Sequence, residues 1–339
     1  MSNVSIKDIA RAAGISHSTV SRALNDSPLV NAETKARIRR LADTLGYSPD
    51  AGARSLVMGR SHTIGVVVTT IADPFAAEVV EGIECTAYAH GYSLILAASN
   101  DNPEREIAAV EMLRSKRVDS IIVTSSRVGA LHQERLHTTG VPVILLNSHS
   151  QRGMPNAYSV RVDDFHGGRL ATGHLIGLGH RRIAHVAGLE GHSVSADRLA
   201  GYQHALATAC LDCDPACVVP GNGQFDGGRT ALEALLALRE RPTAVFCYND
   251  MTAIGLLSAA RQAGIAVPRD LAVVGFDNIP FAAHVCPALT TVAQPMFDLG
   301  KRAMDMALAL MGCQGNTPCD VTDVVLPGQL IVRDSTRTS

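Results

Sequence analysis

The chain has 339 residues, more than a single hydrophobic core usually holds, so two or three folding units are expected. At 46% hydrophobic and 18% charged residues it is globular, with neither the composition of a disordered chain nor any apolar run near the ~20 residues of a membrane span. The opening Met1–Ala10 lacks the basic start and apolar stretch of a signal peptide, so a cytoplasmic protein with no membrane partner is expected. The net charge of −2 suggests no nucleic acid, yet residues 1–60 carry nine Lys+Arg against five Asp+Glu, and the remainder 21 against 27. A basic head on an acidic body suits a DNA-binding module joined to something else.

In chain order, Ser5 can cap a helix over Ile6–Ala13 with Asp8 in its first turn, and Gly14 ends it. Ser16 caps a second helix in which Val20, Ala23 and Leu24 form an apolar stripe. Ser18, Ser21, Arg22 and Asn25 fall at i, i+3, i+4 and i+7 on the opposite face. Asn31 caps a third helix whose Ile38, Leu41 and Leu45 face inward before Gly46 stops it. Two short helices around a tight glycine turn, braced by a third, describe a helix-turn-helix. By pattern alone, the polar face could equally be the solvated side of an ordinary three-helix bundle.

The stretch Val4-Ser-Ile-Lys-Asp-Ile-Ala-Arg-Ala-Ala-Gly-Ile-Ser-His-Ser-Thr-Val-Ser-Arg-Ala-Leu-Asn25, followed by Leu45-Gly-Tyr47-Ser-Pro49, resembles the N-terminus of the LacI/GalR family of bacterial repressors, and the likeness continues to the C-terminus. The resemblance implies that His17, Ser18, Ser21 and Arg22 contact bases or adjacent phosphates in the major groove. Ser5, Ser16, Thr19, Asn25, Thr34 and Tyr47 match positions that mostly hold the DNA backbone. Residues 50–58 resemble the family's hinge helix, too short to be stable alone. Ala53 and Leu56 there are expected to touch DNA, Leu56 as a minor-groove wedge. Asp50 stands where the family usually has Asn, which puts a direct contact from that residue in doubt.

From residue 63 short apolar runs alternate with amphipathic stretches. Strands are expected at Ile64–Val68, Leu94–Ala98, Ile121–Val123 and Val141–Leu146, with helices at Phe75–Ala89, around Ile107–Leu113, and between residues 123 and 141. A second series runs through helix Gly168–Leu178, strand Arg182–Val186, helix Ala196–Ala209, strand Ala244–Cys247, helix Met251–Ala263 and strand Leu271–Gly275. The fold class expected is an all-α helix-turn-helix domain followed by an α/β core of two lobes with parallel sheets, similar to periplasmic sugar-binding proteins. By resemblance the chain crosses between lobes near Arg161, Thr291 and Asp323. The division is therefore 1–48 for the DNA-binding domain and 49–60 for the hinge, with 61–161 and 292–322 as lobe 1, and 162–291 and 323–339 as lobe 2.

Ligands of such sheets bind beyond the carboxyl ends of the strands. Phe75, Asp163, His192, Arg198, Phe225, Asn249 and Asp277 lie at or near such ends, in stretches that resemble the family's effector pocket. Arg198 can fork two hydrogen bonds onto vicinal hydroxyls or a carboxylate, Asp277 and Asn249 can accept or bridge others, and Phe75 and Phe225 can wall a ring face. For Arg198 and Asp277 the competing role is a salt bridge. For Asp164, Asp250 and Asn278 it is a helix cap or a turn. Around His192-Ser-Val194 the chain departs from the residues that hold purines in the family's nucleobase-binding member, so a sugar or sugar derivative is expected.

Eight cysteines in a reducing compartment are expected to be small buried hydrophobes. Cys210, Cys213 and Cys217 have zinc-like spacing but no convincing second pair, so neither metal nor cofactor is expected. There is no Walker loop, G-x-S-x-G elbow or H-E-x-x-H pair, and Gly221-Asn-Gly223 reads as a turn, so the chain is not expected to be an enzyme. The alternative is a sugar-binding protein without a DNA role, which has no use for residues 1–58. The partners expected are a palindromic double-stranded operator, a small-molecule effector, and a second copy in a homodimer. The C-terminal tail has no leucine heptads, so a coiled-coil tetramer is not expected.

Overall fold

The computed structural model describes residues 4–47, 59–126, 140–148, 157–312 and 322–337. They form two compact units, within Met1–Ser61 and His62–Ser339. The first unit holds α1 (Ile6–Ala13), α2 (His17–Leu24) and α3 (Ala32–Leu45). The Asp8 carboxylate accepts from the Ser5 backbone N–H at 3.0 Å and from its hydroxyl at 2.7 Å, satisfying one orphan donor of the first turn. The Ser16 and Asn31 side chains take the N–H groups of Thr19 and Thr34. Gly14 turns the chain from α1 to α2 at φ 66°, where a Cβ is costly. Ile9, Val20, Ala23, Ile38 and Ala42 make the core. Leu45, expected inside, is 36% exposed; at this end of α3 Ala42 and, beyond the helix, Tyr47 take the places against the core.

In the second unit come β1 (Thr63–Val68), α4 (Pro74–Ala89), β2 (Ser93–Ala98), α5 (Pro103–Ser115), β3 (Ser120–Thr124), β4 (Val143–Leu146), β5 (Ala157–Val162), α6 (Asp164–Gly177), β6 (Ile183–Ala187), α7 (Ser193–Thr208), β7 (Val218–Pro220), α8 (Phe225–Leu236), β8 (Ala244–Cys247), α9 (Asp250–Gln262), β9 (Ala272–Asp277), β10 (Thr290–Ala293), α10 (Met296–Gly312), β11 (Val324–Leu326) and β12 (Gln329–Ile331). They build two six-stranded sheets, ordered β11-β5-β4-β3-β1-β2 and β12-β10-β9-β8-β6-β7. The first is parallel throughout. In the second only β12 runs antiparallel, on the edge against β10.

Both faces of each sheet are covered, which is why the strands are continuous apolar runs. Val66, Val68, Ile122, Ile144 and Leu146 point toward α4 and α10; Val67, Ile121, Val123, Val143 and Leu145 point toward α5. In the second sheet Val186, Val245 and Val273 face α8 and α9, while Ile183, Phe246, Val274 and Phe276 face α6 and α7. The paired helices meet through glycines. A Cβ on Gly82 would collide with the Phe297 carbonyl of α10, and one on Gly300 with the Val79 carbonyl of α4. Gly168 and Gly201 do the same for α6 and α7, as do Gly228 and Gly255 for α8 and α9.

The chain changes sheets three times. It leaves the first after Val162, leaves the second after Ala293, and leaves the first again between Leu326 and Gln329. The second and third changes fall later than Thr291 and Asp323, because β10 pairs with β9 through Ala293 and Val324–Leu326 pairs with β5. Helices α6 and α7 start several residues earlier than expected. Asp163 caps α6 by accepting from His166 N–H at 2.9 Å, and α7 begins at Ser193, taking in the Ser-Val-Ser turn before Asp197.

Candidate functional site

On α2, Val20 and Ala23 are buried against the core while Ser16, His17, Ser18, Arg22 and Asn25 are exposed, and Thr19 and Ser21 are half-buried. Ser16 Oγ lies 2.9 Å from Ser18 Oγ and 2.8 Å from Thr19 Oγ1. Ser5 is exposed, Thr34 is half-buried at the start of α3, and Tyr47 packs against the core from beyond Gly46. The exposed strip of hydroxyl, imidazole and guanidinium groups is the chemistry that reads base edges and phosphates. Asp50, Ala53, Leu56 and the hinge helix lie outside the described residues, as do residues 127–139 of the stretch between 123 and 141 where a helix was expected.

In the second unit each sheet has one topological switch point, between β1 and β3 and between β6 and β8. Crevices at such points are where ligands settle in α/β proteins. A cleft of about 570 Å³ lies at both together. The first sheet contributes Thr69, Asp73, Phe75, Asp101, Ser125 and Asn147. The second contributes Leu189, His192, Val194, Arg198, Asn222, Gly223, Gln224, Tyr248, Asn249 and Asp277, and Gln294 lies on the crossing between β10 and α10.

Several of these residues leave their strand in the left-handed region: Asp101 (φ 55°), Ser125 (φ 48°), Asn147 (φ 50°) and Asp277 (φ 110°). Such backbone is costly away from glycine and persists where surrounding structure enforces it, often at functional sites. Arg198 is almost wholly buried. Its Nε donates to Asp164 at 2.8 Å and its Nη1 to the Tyr248 carbonyl at 2.6 Å. Asp277 Oδ1 is 3.7 Å from Nη1. The guanidinium carbon sits 3.7 Å from the centroid of the Phe276 ring, a stacked, desolvated cation. Gln294 bridges the lobes, donating to Asp277 at 2.6 Å and accepting from Asn147 at 3.2 Å. Burial pushes the Asp277 and Asp164 carboxyls up, against the pull of Arg198. Burial likewise pushes Asp250 up to about 7, although Thr291 and Ile279 donate to it.

Phe75, His192, Arg198, Asn249 and Asp277 thus come together in one cleft, and two expected residues do not. Phe225 opens α8, is 44% exposed, and does not line the cleft. Asp163 spends its carboxylate on the α6 cap. Asn249 lines the cleft but is not a free acceptor: its Oδ1 caps α9 at Thr252, and its Nδ2 donates to the Gly223 carbonyl. Asp164 and Asp250 act neither as caps nor as ligand groups. They are the buried counter-charge of Arg198 and the anchor of the Asn278–Ile279 turn. Asn278 accepts from Arg333 at 2.7 Å. Sequence reasoning missed Asp101, Asn147 and Gln294. An Asn directly after an apolar strand was the available signal for Asn147, and the Asn100-Asp101 pair shortly after β2 for Asp101, since these residues tolerate the left-handed turn. Gln294 carried none. Cys210 and Cys213 are exposed and Cys217 is buried. Among the described residues no group of three His, Cys, Asp or Glu side chains is gathered as a metal site.

A helix-turn-helix joined to a two-lobed, cleft-bearing α/β core defines a class: ligand-responsive DNA-binding regulators. Residues 5–50 match the model of the bacterial regulatory proteins of the lacI family, and residues 172–336 match a periplasmic binding protein-like domain. The HTH-type transcriptional repressor PurR of Vibrio atlanticus (strain LGP32) is 36% identical over 304 residues, covering 89% of this chain and 90% of its own. A transcriptional regulator CelR–cellobiose complex superposes with a TM-score of 0.74 at 30% identity, covering 98% of this chain and 100% of that one. The lac repressor dimer bound to operator and the anti-inducer ONPF gives 0.88 at 27%, covering 99% and 100%. The chain belongs to the LacI family: it is a DNA-binding transcriptional repressor with an effector-binding core. No described helix is long and apolar enough to cross a membrane.

Proposed function

We propose that this repressor binds a palindromic operator as a homodimer in the cytoplasm and that a sugar or sugar derivative in the cleft controls that binding. The observation that carries the reading is the cleft at both switch points, where Arg198, Asn147, Asp277 and Gln294 crowd polar groups beside Phe75. Polyols need such mixed donors and acceptors with an apolar wall. The cellobiose complex of the CelR relative supports a carbohydrate.

His17, Ser18, Ser21 and Arg22 read bases. Ser5, Ser16, Thr19, Asn25, Thr34 and Tyr47 hold the backbone, and Ala53 and Leu56 engage the minor groove. Phe75, His192, Arg198 and Asp277 take the effector, with Asn249 holding the α9 end of the cleft. Effector favours one arrangement of the lobes, which sets the grip of the paired hinges on DNA. A gel shift on the protein's own upstream region tests the regulatory part. Calorimetric titration with a sugar panel, purines as control, tests the ligand class. Binding of purines and of no sugar overturns that class.

A further inference from the structure

The charge around the cleft narrows what it can accept. Among the described lining residues, Asp73 and Asp101 come from the first lobe and Asp277 from the second, against the single guanidinium of Arg198. That guanidinium is already held by Asp164 at 2.8 Å and the Tyr248 carbonyl at 2.6 Å, so it offers no uncompensated positive charge. Asp73 Oδ1 caps α4 by accepting from Phe75 N–H at 3.0 Å, and Asp277 Oδ1 accepts from Gln294. The second oxygen of each carboxylate is left for a ligand. Both acids are raised chiefly by burial, and Asp73 contributes to the rise at Asp277.

Of the described residues lining the cleft, two carry a buried polar atom without a hydrogen-bond partner: Asn147 Oδ1 and His192 Nε2, the latter 3.5 Å from Asp101. Asn147 Oδ1 can only accept. An ionised phosphate or carboxylate brings acceptors alone. Lying at Asn147 it would leave that oxygen unsatisfied, and anywhere in the cleft it would set its charge against the carboxyls of Asp73, Asp101 and Asp277 in a partly desolvated site. Hydroxyl and ammonium groups donate, and answer both needs.

We infer that the effector enters this cleft without negative charge, as a neutral polyol or an amino sugar, and that Asp73 and Asp277, contributed by opposite lobes, turn away its phosphorylated and carboxylated counterparts. This rests on the carbohydrate reading above, and the test separates the two.

The whole chain is titrated by calorimetry and thermal melting with glucose, ribose, xylose and fructose. Each is set beside its phosphate ester and, for the aldoses, the matching aldonic acid; glucosamine is added, and adenine and hypoxanthine are set beside their nucleoside monophosphates. The expected result is that any skeleton that binds does so at least about tenfold more tightly when neutral or aminated, as like-charge repulsion in a low-dielectric site requires. In the Asp73→Asn/Asp277→Asn pair that ratio shrinks toward one, with melting curves confirming the fold. A phosphate ester or acid binding more tightly than its neutral form overturns the inference. If only purines respond, the carbohydrate reading falls while the charge inference is still judged on base against nucleotide. Silence from the whole panel overturns both.

Discussion

Arg198 is 2% exposed and faces Asp164, itself 1% exposed. Removing one partner of a buried pair leaves the other charge uncompensated. Arg198→Met is therefore expected to lower unfolding free energy by ~3–5 kcal/mol, read from urea melts, as well as to abolish effector binding. A loss below ~1 kcal/mol would mean that water screens the pair. His185 is a second buried group with a sign that can be tested. It lies between Tyr202 and Phe246, and burial lowers its pKa from 6.5 to about 4. The unfolded chain binds the proton more readily, so this contribution is complete above pH 6.5 and is lost as pH falls toward 4, up to ~3 kcal/mol in all. Asp250, raised to about 7, works oppositely, its contribution being lost as pH rises. Comparing stability against pH for the wild type and His185→Leu isolates the imidazole. The variant should lose the acid-side decline between pH 6.5 and 4, and parallel curves would contradict the assignment. On α2, Arg22 is exposed beside the buried Ala23. Arg22→Ala should weaken operator binding by ~1–3 kcal/mol and relax preference at one base pair, as measured by gel shift on single-base operator variants. Uniform weakening across all variants would assign Arg22 to phosphate instead.

At the scale of elements, three helix pairs are drawn together by reciprocal glycines, Gly82 with Gly300, Gly168 with Gly201, and Gly228 with Gly255. Each added Cβ would strike a backbone carbonyl of the facing helix, which a side-chain rotation cannot relieve. Gly82→Ala or Gly228→Ala should each cost ~1–3 kcal/mol from overpacking, whereas Gly173→Ala, with open space around it, should be neutral or slightly stabilising by helix propensity. Calorimetric melting temperatures check the ranking, and equal effects at all three sites would refute the close-contact account. Most elements were legible from pattern because buried parallel strands leave unbroken apolar runs, as in Ile64–Val68 of β1 and Ala272–Phe276 of β9. Boundaries such as Ser193 were not, since a turn-like Ser-Val-Ser is drawn into α7 by tertiary hydrogen bonding, Ser195 accepting from Gly188 N–H at 3.1 Å.

For the whole molecule, regulation requires a coupling free energy between effector and operator. A bound effector is expected to change operator affinity by ~5–150-fold, and linkage requires operator DNA to change effector affinity by the same factor. Calorimetric titration of effector with and without operator duplex checks that reciprocity; unequal factors would show that the two ligands are not linked through one equilibrium. By itself the sequence determined the identity of the family, the helix-turn-helix with its caps and glycine turn, and the doubly covered sheets, because each of these is written in local spacing and short-range chemistry. Only the tertiary structure decided which residues share the cleft. Asp101, Asn147 and Gln294 enter it, and Phe225 and Asp163 leave it, because the strand order brings together loops far apart in the chain, and because competing hydrogen bonds such as the α6 cap claim a side chain before a ligand can.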